Sequence, residues 1–84
     1  MNMNVLCDVV NSINDNCQRL GCEFRMFPIH GGVSISLKDP GTGFRLCSVL
    51  PNDSFSITRR SDAMFAVAEM VSNFHVGRAK RLCD

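Results

Sequence analysis

Five cysteines and two histidines carry the most reactive side chains in this sequence. Cys7, Cys17, Cys22, Cys47 and Cys83 are spread along the chain, with His30 and His75 between them. Metal binding is the first chemistry such residues offer. Cys17 and Cys22 have four residues between them, and His30 follows eight positions later. Zinc sites pair their ligands more tightly and repeat the pair downstream, and no C-x-x-C occurs here. Both cysteines also fall where the apolar pattern calls for a small hydrophobe. Packing is the better reading, and neither a metal nor another cofactor is expected. Nucleophilic catalysis needs a Cys or Ser beside a His and an orienting acid. No local context selects such a set: His30 precedes two glycines and reads as part of a turn. His75 falls near the expected end of a helix, where a cationic imidazole suits the dipole. Gly31-Gly32 and Gly41-Thr42-Gly43 precede no helix and lack the Lys-Ser/Thr of a phosphate loop. An enzyme is therefore not expected.

A second set of residues could bind rather than react. Arg25, Phe27, Ser34, Ser36, Lys38, Arg45, Ser54, Ser56 and Thr58 mix cations, hydroxyls and an aromatic, with Glu23 as the acid among them. Arg59, Arg60, Arg78, Lys80 and Arg81 lie close by in sequence. The period-two alternation of the chain is what would gather the first group. Val33, Ile35 and Leu37 alternate with Ser34, Ser36 and Lys38, so one strand face is dry and the other wet. Asp39-Pro40-Gly41 is a turn signal, because Pro presets φ and Gly tolerates its positive range. Phe44-to-Leu50 returns as a second strand with Phe44, Leu46, Ser48 and Leu50 inward and Arg45, Cys47 and Val49 outward.

The flanks extend this hairpin. Leu6, Val9, Val10, Ile13, Cys17 and Leu20 recur at spacings of three and four, predicting a helix over 4–20 that Asn2 or Asn4 caps and Gly21 ends. Cys22 to Ile29 reads as a strand, placed at an edge or ended by Pro28. Ser54 to Thr58 alternates again, with Phe55 and Ile57 inward, and reads as a fourth strand. Ser61-Asp62 signals a helix start. Met64, Val67, Ala68, Val71 and Phe74 form its stripe, Phe65 and Met70 widen it, and Gly77 ends it. Residues 78–84 are left as a basic tail. The order is helix, four short strands, helix, with connections short enough for an antiparallel meander. The expected fold is α+β: a two-layer sandwich with both helices on one face of a four-stranded antiparallel sheet, in one domain over 1–84.

Composition limits the partners. At 84 residues the chain buries roughly 60–65% of its unfolded surface, which supports one thin core. It is 45% hydrophobic and 20% charged, as globular domains are. The formal net charge of +1 gives no global pull toward nucleic acid or an anionic membrane. The odd cysteine count and the lack of a secretory signal point to free thiols in the cytoplasm. No apolar run is long enough to span a membrane.

The plan resembles very small phage-encoded inhibitors of the anti-CRISPR type. The shared features are a Met-Asn-rich start into a short helix, an antiparallel meander and a closing helix. That resemblance implies a cytoplasmic protein, in the host cytosol, that masks a host nuclease or regulatory complex. Several such inhibitors mimic DNA and are strongly acidic, whereas this chain is near neutral. The α-β-β-β-α part of the order also resembles a double-stranded RNA-binding domain. Such a domain places lysines at the start of its second helix, where this chain has Ser61-Asp62-Ala63-Met64. The leading expectation is a non-enzymatic protein that binds a larger protein partner. A module for RNA or single-stranded DNA on the basic sheet face is the alternative. Surplus apolar residues, Phe65, Met70, Phe27, Cys47 and Val49, leave a homodimer among the expectations.

Overall fold

A computed structural model describes residues 2–83. Helix α1 (Met3–Leu20) leads into strands β1 (Glu23–Ile29), β2 (Gly32–Lys38) and β3 (Arg45–Pro51). Two short 3-10 turns, Asn52–Phe55 and Ile57–Arg59, then join β3 to helix α2 (Arg60–Cys83). The three strands form one antiparallel sheet in the order β1-β2-β3. Asp84, at the end of the expected tail, Met1 and the side chains of Leu82 and Cys83 lie outside the described residues.

α1 forms where its stripe predicts. The Asn2 side chain accepts from the Asn4 and Val5 amides at 2.9 and 3.2 Å, satisfying two of the unpaired N–H groups of the first turn. Gly21 ends the helix with φ at 69°, a left-handed position. Val5, Val9, Ile13 and Cys17 meet Val33, Ile35, Leu37 and Leu50 of the sheet and Ala63, Val67, Met70, Val71 and Phe74 of α2 in one core. The inward face of the sheet and both helices thus share a single layer boundary. A shortest dimension of 16 Å leaves room for two layers and no third.

Three expectations are corrected. The first is the fourth strand. Ser54 and Phe55 are both buried although they are neighbours, and Ile57 is 68% exposed, so the alternation of a strand is broken. The backbone there bonds elsewhere: the Asn2 amide donates to Phe55 O at 2.7 Å and the Asn52 amide to Gly31 O at 3.1 Å. The Ser56 hydroxyl donates to Asp53 O at 3.1 Å, a local bond that competes with a ladder.

The second is the end of α2. Gly77 does not stop the helix, which runs to Cys83, so residues beyond it are helical and His75 is not terminal. Gly77 is there for contact: an added Cβ would overlap the Phe44 ring. That ring stacks, tilted, on Phe74 at 5.6 Å. Arg78 is part of the same joint. It donates to Leu20 O at 2.6 Å, closing the C-terminus of α1, and its guanidinium sits over Phe74. The third is the patch expected on α2, because Met70 turns into the core while Phe65 is exposed.

The β2–β3 turn is held by Asp39. Its carboxylate accepts from the Gly41 amide at 3.1 Å and the Thr42 hydroxyl at 2.8 Å. Gly43 takes the left-handed position, with φ at 77°. The Thr42 hydroxyl bond, helped by the Gly41 amide and the Arg78 charge, lowers the Asp39 pKa below its ordinary 3.8. A depressed carboxyl pKa adds stability above the ordinary value, and that stability is lost as pH falls through the folded-state value. Asp39→Asn should therefore melt below the wild type near neutral pH, with the gap closing in strong acid. Melting curves across that range measure it; a gap that persists in acid would assign the effect to shape rather than charge.

Candidate functional site

The outer face of the sheet is covered by neither helix. Strand register arranges it in rows. Glu23, Lys38 and Arg45 stand abreast; next come Arg25, Ser36 and Cys47; then Phe27, Ser34 and Val49; then Ile29, Gly32 and Pro51. Rows on one face are two residues apart, about 6.7 Å, so these span about 20 Å. Polarity changes steadily along that length. The first two rows carry three cations against one acid. The last two expose Phe27 (49%), Val49 (54%) and Ile29 (40%) beside a glycine.

The cationic end is shallowly concave. Glu23, Arg25, Phe27, Ser36, Lys38 and Arg45 border a depression of about 200 Å3. Among the described residues Arg25, Lys38 and Arg45 make no ion pair. Their charges are therefore available to a ligand, and lone cations spaced across neighbouring strands suit separated carboxylates or phosphates.

The expected binding residues divide accordingly. Arg25, Phe27, Ser34, Ser36, Lys38 and Arg45 are brought together as anticipated. Ser56 is not, because it lies in the 3-10 connection, as do Ser54 and Thr58. Arg59 is held by Asp53 at 2.8 Å and Asp62 at 3.4 Å, and Arg60 by Asp8 at 2.7 Å. Arg78 is committed to Leu20 and Phe74. Lys80 and Arg81 occupy the last turns of α2, not the sheet. Ile29 and Pro51 were missed. Their parity with Phe27 and Val49 is the signal that would have found them.

The cysteines show no gathered chemistry. Among the described residues no cluster of three or more His, Cys, Asp or Glu is arranged to hold a metal. Cys7 and Cys47 are exposed, Cys22 is half-buried and Cys17 is buried. Burial first, and then the neighbouring Cys22 thiol, push the Cys17 pKa up to about 12, which keeps it an unreactive thiol. No helix among the described residues is long and apolar enough to cross a membrane.

Compared with protein-family models, curated proteins and solved structures, the chain matches none of them.

Proposed function

We propose that this chain is a small, non-enzymatic interaction protein that binds a larger protein through the open face of its sheet and masks the surface it covers. The observation that carries this reading is the uncovered face itself, cationic at one end and apolar at the other. An exposed apolar area rimmed by polar groups is the usual mark of an interaction site. Aromatic and arginine side chains are the types that anchor such interfaces. The complementary partner surface is acidic beside apolar. Resemblance to anti-CRISPR inhibitors supplies the specific version: a host nuclease or regulatory complex, met in the cytosol, is the partner.

Charge reversal tests it. Arg25→Glu with Arg45→Glu should leave the melting midpoint within that expected for about 0.5 kcal/mol, because both side chains are exposed. The same double variant should lose the proteins captured by the wild-type chain from a bacterial host. It should also lose inhibition of target cleavage by purified CRISPR-Cas complexes. Identical captures by both baits, together with uninhibited cleavage, would sink the proposal.

A second reading has one observation in its favour, the three unpaired cations around Phe27. Single-stranded nucleic acid would place phosphates on Arg25, Lys38 and Arg45 and a base on the ring. It requires binding of oligonucleotides that weakens steeply with salt and fails in the double variant. No mobility shift at low salt removes it. Recognition of duplex RNA has less support, since Arg59 and Arg60 at the start of α2 are already paired with acids.

A further inference from the structure

β1 is an edge strand with an apolar groove beside it. His30 and Gly31 are the only residues between the paired Ile29 and Gly32. A two-residue connection closes on a hydrogen-bonded pair, and antiparallel pairs alternate from there. Glu23, Arg25, Phe27 and Ile29 therefore direct their N–H and C=O groups to β2. Phe24, Met26 and Pro28 turn theirs to the open edge. Pro28 has no N–H, and its place in the outward set breaks no rung of the ladder. Beside the edge, Leu6 and Val10 of α1, Met26 and Pro28, Val33 of β2 and the flank of Phe27 line an apolar groove of about 310 Å3. Phe27 also borders the cationic depression on the outer face. One ring thus stands between a slot for an apolar side chain and the unpaired guanidinium of Arg25.

We propose that the β1 edge and this groove bind an extended peptide segment of the partner as an added strand, with an apolar side chain in the groove and an acidic one against Arg25. Strand addition draws affinity from main-chain bonds and selectivity from alternate side chains. The Phe24 and Met26 amides and carbonyls supply the bonds. Inward side chains of the added strand point toward α1 and enter the groove; outward ones lie beside Arg25, where an acid is attracted and a base repelled. A second copy paired through β1 about Met26 fits less well: each Pro28 faces the copy's Phe24 with no N–H to give, and the two Arg25 side chains share a face and repel.

The inference rests on reading the chain as an interaction protein, so its test separates the two. A phage-displayed library of extended heptapeptides is selected on the immobilised full-length chain, and the enriched peptide is titrated into isotope-labelled protein. Selection should enrich alternating apolar and acidic residues. The Phe24 and Met26 amides and the Leu6 and Val10 methyls should shift. N-methylating the peptide amides that bond the edge should weaken affinity about tenfold. Val10→Asp, checked for a wild-type melting curve, should weaken it by a similar factor of about ten. Arg25→Glu, which alters no packing, should switch the preference from acidic to basic residues. Shifts at Arg45, Cys47 and Val49 with Phe24 and Met26 silent would overturn the edge site and leave the open-face reading standing. No enrichment over bare support, no response to N-methylation, or peptide blocked by self-association of the chain would each overturn this inference.

Discussion

Phe55→Ala should destabilise the protein by about 3–5 kcal/mol, while Ile57→Ala should cost less than about 0.5 kcal/mol. The two residues share parity in the sequence, and a strand would bury both. In the structure Phe55 is completely buried and Ile57 is mostly exposed. Removing the Phe55 ring leaves a cavity between α1, α2 and the sheet, and those elements are too firmly packed to close over it. Its backbone carbonyl, which accepts from Asn2, is untouched by the change. Total stability of a domain this small is about 5–10 kcal/mol, so the Phe55 variant should lose a large part of it. Chemical denaturation of both variants measures it. Equal losses at the two positions would restore the fourth strand and overturn the 3-10 connection.

The second large effect is expected at a residue with no side chain. A Cβ on Gly32 would stand 2.5 Å from Leu50 O and 3.2 Å from both Leu50 C and Pro51 Cα. All three are backbone atoms of the neighbouring strand, so no rotamer change relieves the overlap. β2 and β3 must separate at that end, and the Asn52-to-Gly31 bond beside it goes with them. Gly32→Ala should cost about 2–3 kcal/mol by overpacking. Gly41→Ala is the control. Its nearest atom would be the Asp39 carboxylate at 3.5 Å, an ordinary contact, and its φ is not in the positive range. Restricting the unfolded chain there should give a change of zero to about 1 kcal/mol in the stabilising direction. A tolerated Gly32→Ala would mean that the close approach of β2 and β3 is not required.

What could be read in the sequence was periodic. The spacing of Val9, Ile13 and Cys17 and the parity of Val33, Ile35 and Leu37 decided which faces meet, because one buried face fixes register and rotation together; Val5, buried beside them, was missed. The same parity put Arg25, Ser36, Lys38 and Arg45 on one surface. The errors arose where distant contacts outweighed local pattern. Ser54 to Thr58 alternates as a strand does, yet its Phe55 carbonyl accepts from Asn2, far away in the chain. Gly77 is a proper stop signal overridden by the Phe44 ring. Arg60 finds Asp8 across 52 residues and Arg78 finds Leu20 across 58, and no spacing rule anticipates either. Pro28 was informative in a finer way than its use as an edge marker: its parity tells which residues of β1 are left unbonded.

The graded rows of the outer face have a consequence for symmetry. Two copies meeting face to face must be related by a two-fold axis lying in the interface. If that axis runs along the central strand, β1 lies over the copy's β3: Lys38 meets Lys38 and Arg25 meets Cys47, while Glu23 meets Arg45 and Phe27 meets Val49. If it runs across them, every cation lands on the apolar end of the other copy. Neither arrangement neutralises Arg25 or Lys38, and both desolvate these two without a counter-charge. A surface with such a head and tail is frustrated against itself. A different molecule carrying the opposite gradient would match it better, and in one orientation.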